Sequence, residues 1–151
     1  MRHIGARMLS VPLATLAATE RLGARLAGLA QPGDAILLQG PLGAGKTALA
    51  RAFLRTASHR PDLDVPSPSF TLVQTYDTQR GPVHHFDLWR LDGPQGLTEL
   101  GWDEARQDIV LVEWPDRLGP LRPPDALTVA LDYAGDDARL AVLTGWAERL
   151  A

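Results

Sequence analysis

The sequence predicts an α/β domain with a largely parallel central sheet flanked by helices, with some antiparallel hairpins. Three observations lead there. The runs AILLQ (residues 35–39) and IVLVEW (residues 109–114) are short and apolar, as strands covered on both faces are. Other segments carry the 3.6-residue apolar period of surface helices. A glycine-rich turn, GPLGAGKT (residues 40–47), joins the first of those strands to one such helix. With 151 residues, 45% of them hydrophobic, the chain is expected to form one domain over residues 1–151 with a core that needs no staples.

Taken in order, residues 12–29 read as a helix, because Leu16, Leu22, Leu26 and Leu29 fall near one face. QPGD (residues 31–34) is a turn leading into the strand 35–39. After the glycine turn, Leu49, Phe53 and Leu54 give the next helix its apolar side. HRPDLDVPSPS (residues 59–69) contains three prolines and reads as a loop. FTLVQTY (residues 70–76) alternates like a strand, and TQRG (residues 78–81) turns it into a second, VHHFDL (residues 83–88). Residues 91–106 read as a loop with one or two short helices, and residues 109–114 as the central strand. ALTVALDY and ARLAVL are late strands, and residues 145–150 a short terminal helix.

Composition excludes several classes. Without cysteine the chain has no disulfide and no thiolate metal site, which fits a reducing compartment. A net charge of -3 argues against a protein that grips nucleic acid alone. No apolar run approaches the roughly 20 residues of a membrane span, and residues 1–13 lack the apolar core of a signal peptide. A cytoplasmic protein is expected.

The glycine turn carries the chemistry. Gly40, Gly45, Lys46 and Thr47 satisfy G-x-x-x-x-G-K-[ST] between a strand and a helix, the setting the motif requires. The four fixed positions match by accident in roughly one chain in two hundred of this length. In such a phosphate-binding loop, or P-loop, the turn over Pro41, Leu42, Gly43, Ala44 and Gly45 wraps phosphate oxygens, with backbone N–H groups from every position but the proline and with help from the helix N-terminus. Lys46 reaches the β- and γ-phosphates and the Thr47 hydroxyl meets Mg²⁺. Lys46 is the chain's only lysine beside 14 arginines, so an ammonium is singled out there. The ligand expected is a nucleoside triphosphate. The guanine motif N-K-x-D is impossible in a chain without asparagine, which leaves ATP.

Further carboxylates follow. Glu113 ends an apolar strand, where the Mg²⁺-associated carboxylate of P-loop proteins sits. Asp87, near the end of another strand, is either a second carboxylate at the metal or attacking water, or a turn cap. His84 and His85 are strand neighbours and point to opposite faces, so they do not close on one ion; one is expected packed and the other exposed. Trp114 either meets the nucleotide or a partner, or packs. Arg51 and Arg55, one helical turn apart, read as a solvated face.

In this order GPLGAGKT, SPSFT (residues 67–71), HHFDLWR (residues 84–90), VLVEW (residues 110–114) and DDAR (residues 136–139) resemble the bacterial TsaE (YjeE) family, the small ATPase of tRNA threonylcarbamoyladenosine synthesis. The resemblance runs from about Leu22 to Arg139. It implies a Mg²⁺-dependent ATPase subunit required for modification of tRNA position 37. Its partners are implied to be TsaD and TsaB, with tRNA reached only through them and turnover stimulated by the complex. It also implies Lys46, Asp87 and Glu113 as catalytic, Asp87 at the metal with Thr47 and Glu113, and Ser69 and Arg139 beside the nucleotide. The chain departs from the family pattern at Pro41, where an aspartate is usual, at Ser69 for threonine and at Trp89 for tyrosine. Two rivals stand beside this reading: a P-loop small-molecule kinase, for which residues 91–108 are short as a lid, and a nucleotide-dependent binding switch with little turnover.

Overall fold

The computed structural model describes residues 8–150. The reading of a missing signal core falls largely on residues 1–7, outside the described residues. Seven strands among the described residues form one sheet: β1 (Met8–Leu13), β2 (Ala35–Gln39), β3 (Val73–Thr78), β4 (Gly81–Asp87), β5 (Ile109–Glu113), β6 (Leu127–Tyr133) and β7 (Arg139–Thr144). Their order is β1-β7-β6-β2-β5-β4-β3. The helices are α1 (Leu16–Leu29), α2 (Lys46–Ala57), α3 (Trp102–Ala105) and α4 (Ala147–Leu150).

The expected α/β architecture is the one observed, with its parallel pairing concentrated at the centre. Strands β6, β2, β5 and β4 run parallel. Each flank is antiparallel: β3 on β4 at one side, β7 and then β1 on β6 at the other. Strands covered on both faces cannot alternate, and β5 is accordingly buried at all five positions, Glu113 included.

Helices α1 and α2 cover one face, where Leu22, Leu26, Leu49 and Phe53 meet Ile36, Leu38, Ile109 and Leu111. They approach closely because Gly23 has no side chain; a Cβ there would lie 2.8 Å from the Leu49 carbonyl oxygen. The opposite face is closed by Leu97, Trp102 and Leu118, from the short helical segments, over Leu37, Phe86, Val110 and Val112.

Two element boundaries differ from the sequence reading by three residues or more. Residues 12–13 belong to β1 and not to a helix, with Pro12 opposite Leu140 on the edge strand, where the missing N–H is tolerated. The helix starts later because Thr15 is its N-cap, with an extended backbone and Oγ1 accepting from the Ala18 N–H at 3.2 Å. Phe70 and Thr71 likewise stand outside β3. Leu72 takes a left-handed φ of 68° and its N–H donates to the Pro68 carbonyl, closing a turn that throws Phe70 into solvent.

A third difference concerns Arg51 and Arg55. They are not a free solvated face: Arg51 Nε donates to the Val65 carbonyl at 3.2 Å and Arg55 Nε to that of Leu63 at 2.8 Å. The two guanidinium groups tie the proline-rich loop onto α2. No helix among the described residues is long and apolar enough to cross a membrane.

Candidate functional site

The site forms where the parallel strands end, outside their carboxyl termini, as in open α/β sheets generally. Residues 40–47 leave β2, turn, and enter α2. Gly40 and Gly45 have φ of 146° and 106°, values that a side chain disfavours. Gly40 has a second constraint, because a Cβ there would collide with the Leu131 carbonyl oxygen of β6. The loop is thus fitted against the neighbouring strand.

Lys46 opens α2 and is only 5% exposed. Its Nζ donates to the carbonyls of Gly40 at 2.6 Å and Pro41 at 2.9 Å, and sits 4.1 Å from the centroid of the Trp114 ring. Burial pushes its pKa below the usual lysine value, while the Glu113 and Asp87 carboxylates pull it back up. The ammonium is folded onto its own loop, against an aromatic face. Trp114 reaches that position through a left-handed φ of 60° just after β5, and its ring packs at a tilt of 47° against Trp89 with centroids 4.4 Å apart.

The two carboxylates come from adjacent parallel strands. Asp87 and Glu113 are paired in register, so both project at the same level beside α2. Thr47 Oγ1 lies 2.9 and 3.0 Å from the two Glu113 carboxylate oxygens. Asp87 accepts from Ser67 Oγ at 2.5 Å and from the Trp89 N–H at 3.1 Å. Ser69 Oγ donates onward to Ser67 Oγ at 3.4 Å.

An open cleft of about 400 Å³ is lined by these groups, with Leu42, Gly43 and Gly45 from the loop. The donors are all hard oxygens, as Mg²⁺ requires. Among the described residues no three His, Cys, Asp or Glu converge to hold an ion by themselves. A hydroxyl and one or two carboxylates completed by phosphate oxygens is the way such sites take Mg²⁺, and the residues present fit it.

A second cleft lies on the other side of the loop, between Gly43–Gly45, Thr15 and Thr19 at the start of α1, and Arg139. Arg139 starts β7; its guanidinium donates to the Gly43 carbonyl at 3.3 Å and lies 4.9 Å from the Tyr133 ring centroid. The Tyr133 hydroxyl donates to the Leu42 carbonyl. The structure therefore brings Lys46, Thr47, Ser69, Asp87 and Glu113 into one cleft and sets Arg139 apart from them, across the loop. Pro41 and Ala44 shape the turn, Ala44 N–H donating to the Pro41 carbonyl at 3.2 Å.

Sequence reasoning missed three participants. Ser67 was visible only as part of a proline-flanked stretch, yet it holds Asp87 directly. Tyr133 carries no signal at all, since its approach depends on the β6–β7 hairpin folding over the loop. His85 is fully buried with Nε2 2.7 Å from Glu113 Oε2. Strand alternation separates it from His84 as expected, but His84 is not free: it bridges Asp108 Oδ2 and Thr75 Oγ1, each at 2.9 Å.

The chain is similar to known proteins over most of its length. A family model described as "Threonylcarbamoyl adenosine biosynthesis protein TsaE" matches residues 13–141. The chain is 35% identical over 132 residues to the tRNA threonylcarbamoyladenosine biosynthesis protein TsaE of Rickettsia felis, covering 86% of this chain and 77% of the relative. It is also 35% identical over 143 residues to the protein of that name from a Nostoc species, covering 91% and 86%. The crystal structure of Bacillus subtilis YdiB superposes with a TM-score of 0.77 at 28% identity, over 98% of this chain and 91% of the other. A P-loop, two in-register carboxylates and a serine loop on one mixed sheet thus come with sequence similarity over most of the length: the chain belongs to the TsaE family.

Proposed function

We propose that this chain is the ATPase subunit of tRNA threonylcarbamoyladenosine synthesis, acting on position 37 of tRNA with TsaD and TsaB. The observation that carries the ATPase reading is the register of Asp87 and Glu113, which sets two carboxylates side by side opposite Lys46 and Thr47. The backbone N–H groups of residues 42–47 hold the triphosphate, and Lys46 leaves its carbonyl partners to meet the β- and γ-phosphates. Arg139 and the cleft beside Thr15 and Thr19 take the nucleoside side of the loop. Thr47 and Glu113 hold Mg²⁺, with Asp87 near it. The ion, when bound, neutralises charge on the phosphate oxygens. Asp87, kept in place by Ser67 and the Trp89 N–H, orients the attacking water, and Ser69 senses the γ-phosphate.

The exposed rim supports a partner-completed site. Phe70 is 87% exposed on the serine loop, with the Arg90 guanidinium 5.2 Å from its ring centroid, and Trp89, which lines the cleft, is 45% exposed. A small-molecule kinase is disfavoured because residues 91–108 contribute nothing to the cleft; Leu97 and Trp102 are committed to the opposite face of the sheet. The reading implies a cytoplasmic protein.

Thr47→Ala and Glu113→Ala test the metal half of the proposal. The affinity for a non-hydrolysable ATP analogue is measured calorimetrically with Mg²⁺ and with a chelator. Each substitution is expected to reduce the Mg²⁺-dependent gain about tenfold or more, with little change in the chelator. If Glu113→Ala lost the same affinity in both conditions, Glu113 would be structural and the metal assignment would fall.

A further inference from the structure

His85 sits at 0% exposure on β4, two residues before Asp87 and on the same face. Its backbone partner on β5 is Leu111, which makes Glu113 its diagonal neighbour. Nε2 lies 2.7 Å from Glu113 Oε2, and a carboxylate oxygen only accepts, so Nε2 carries the proton. Nδ1 is buried with no hydrogen-bond partner among the described residues. The one hydrogen bond found for the ring among the described residues therefore goes to the Glu113 carboxylate. The arrangement makes sense through Glu113.

The terminal torsion of a glutamate is broad and roughly two-fold, so packing of the stem does not orient the carboxylate. Two donors do so here: the Thr47 hydroxyl, from the start of α2, and the His85 Nε2–H, from the neighbouring strand. The Thr47 hydroxyl alone is 2.9 and 3.0 Å from the two oxygens and does not choose between them. His85 touches Oε2 and breaks that degeneracy.

We infer that His85 is a positioning residue for Glu113: it pins Oε2, leaving Oε1 and the Thr47 oxygen to the ion in one orientation. The inference rests on the Mg²⁺–nucleotide reading of the cleft. It assigns His85 no contact with nucleotide or metal, only control over the carboxylate that makes one.

Three substitutions separate this from a packing role. Gln places an N–H about where Nε2 stands, Asn falls short of Glu113, and Leu fills space without a donor. Affinity for the non-hydrolysable analogue is measured by calorimetry with Mg²⁺ and with a chelator, alongside thermal melting without nucleotide. His85→Asn and His85→Leu are expected to lose about tenfold or more of the Mg²⁺-dependent gain, as loss of a partner behind a metal ligand does, and His85→Gln to recover most of it. A full gain in His85→Asn and His85→Leu, or a His85→Gln no better than His85→Leu, overturns the inference. If the unsubstituted protein gains nothing from Mg²⁺, the reading of the cleft fails and takes this one with it. Should the substitutions unfold the chain, nitrogen NMR of the unsubstituted protein decides. A protonated Nε2 whose resonance moves with Mg²⁺ and analogue, and not with analogue in chelator, supports the role; an unprotonated Nε2, or one indifferent to Mg²⁺, overturns it.

Discussion

Lys46→Ala is expected to abolish ATP turnover and to weaken ATP binding about 10- to 150-fold, the equivalent of a charge-assisted hydrogen bond at roughly 1.5–3 kcal/mol. The structure gives the substitution two consequences that the motif alone does not. Lys46 is the donor that closes residues 40–41 onto the first turn of α2, so its removal also loosens the loop before nucleotide arrives. Among the described residues it is also the only cation over Trp114, and its proton is held more firmly by the Glu113 and Asp87 charges. Calorimetric titration with a non-hydrolysable analogue, paired with a melting curve, separates the two. A loss of affinity with an unchanged melt is the loss of the phosphate contact. Unchanged affinity and turnover would remove the P-loop assignment.

Asp87→Asn decides between an ATPase subunit and an autonomous enzyme. Asparagine keeps the size of the side chain and an oxygen that can accept from the Ser67 hydroxyl or the Trp89 N–H, so the serine loop stays attached. What goes is the negative charge facing the cleft. ATP binding should survive, because the proposed role of Asp87 is at the water or metal and not at the loop amides. Partner-stimulated hydrolysis should fall by about 10²–10⁴, the usual contribution of a positioned acid–base group. Formation of threonylcarbamoyladenosine on tRNA should fall with it. Steady-state turnover of both proteins is measured alone and with TsaD and TsaB. The unsubstituted chain alone should be slow, since a group supplied by a partner can be worth 10³–10⁵ at such sites. Fast turnover without partners, or a variant stimulated as strongly as the parent, would sink the mechanism.

What could be read in advance follows from the range of each signal. The glycine turn and the strand ends at Asp87 and Glu113 are local, because spacing along one element already fixes where the side chain emerges. Their meeting in register needs only that β4 and β5 be parallel neighbours. The edge strand β1 was hidden, because its residues find their partner in β7, far along the chain, and the leucine period of α1 runs up to it without a break. Arg51 and Arg55 obey helical spacing for a solvated face, yet the loop that covers them is set by Pro61, Pro66 and Pro68, which periodicity does not see. His85 was the subtlest. Alternation assigned it a face, but its partner is on another strand and two steps off the backbone pair, a diagonal relation that no single-strand pattern encodes.

The cluster of Trp89, Trp114 and the Lys46 ammonium has an optical consequence. Two of the chain's four indoles lie in electronic contact at the mouth of the cleft, and a cation rests on one of them. On the proposed swing of Lys46 from that ring to a phosphate, the field across the Trp114 indole should change while the two more distant tryptophans, Trp102 and Trp146, keep their surroundings. Emission should therefore shift on addition of ATP, and with Trp102 and Trp146 replaced by phenylalanine nearly the whole signal should come from the site. The ring that holds the lysine at rest thus becomes a built-in dye whose colour reports, in real time and without any label, when the lysine has left.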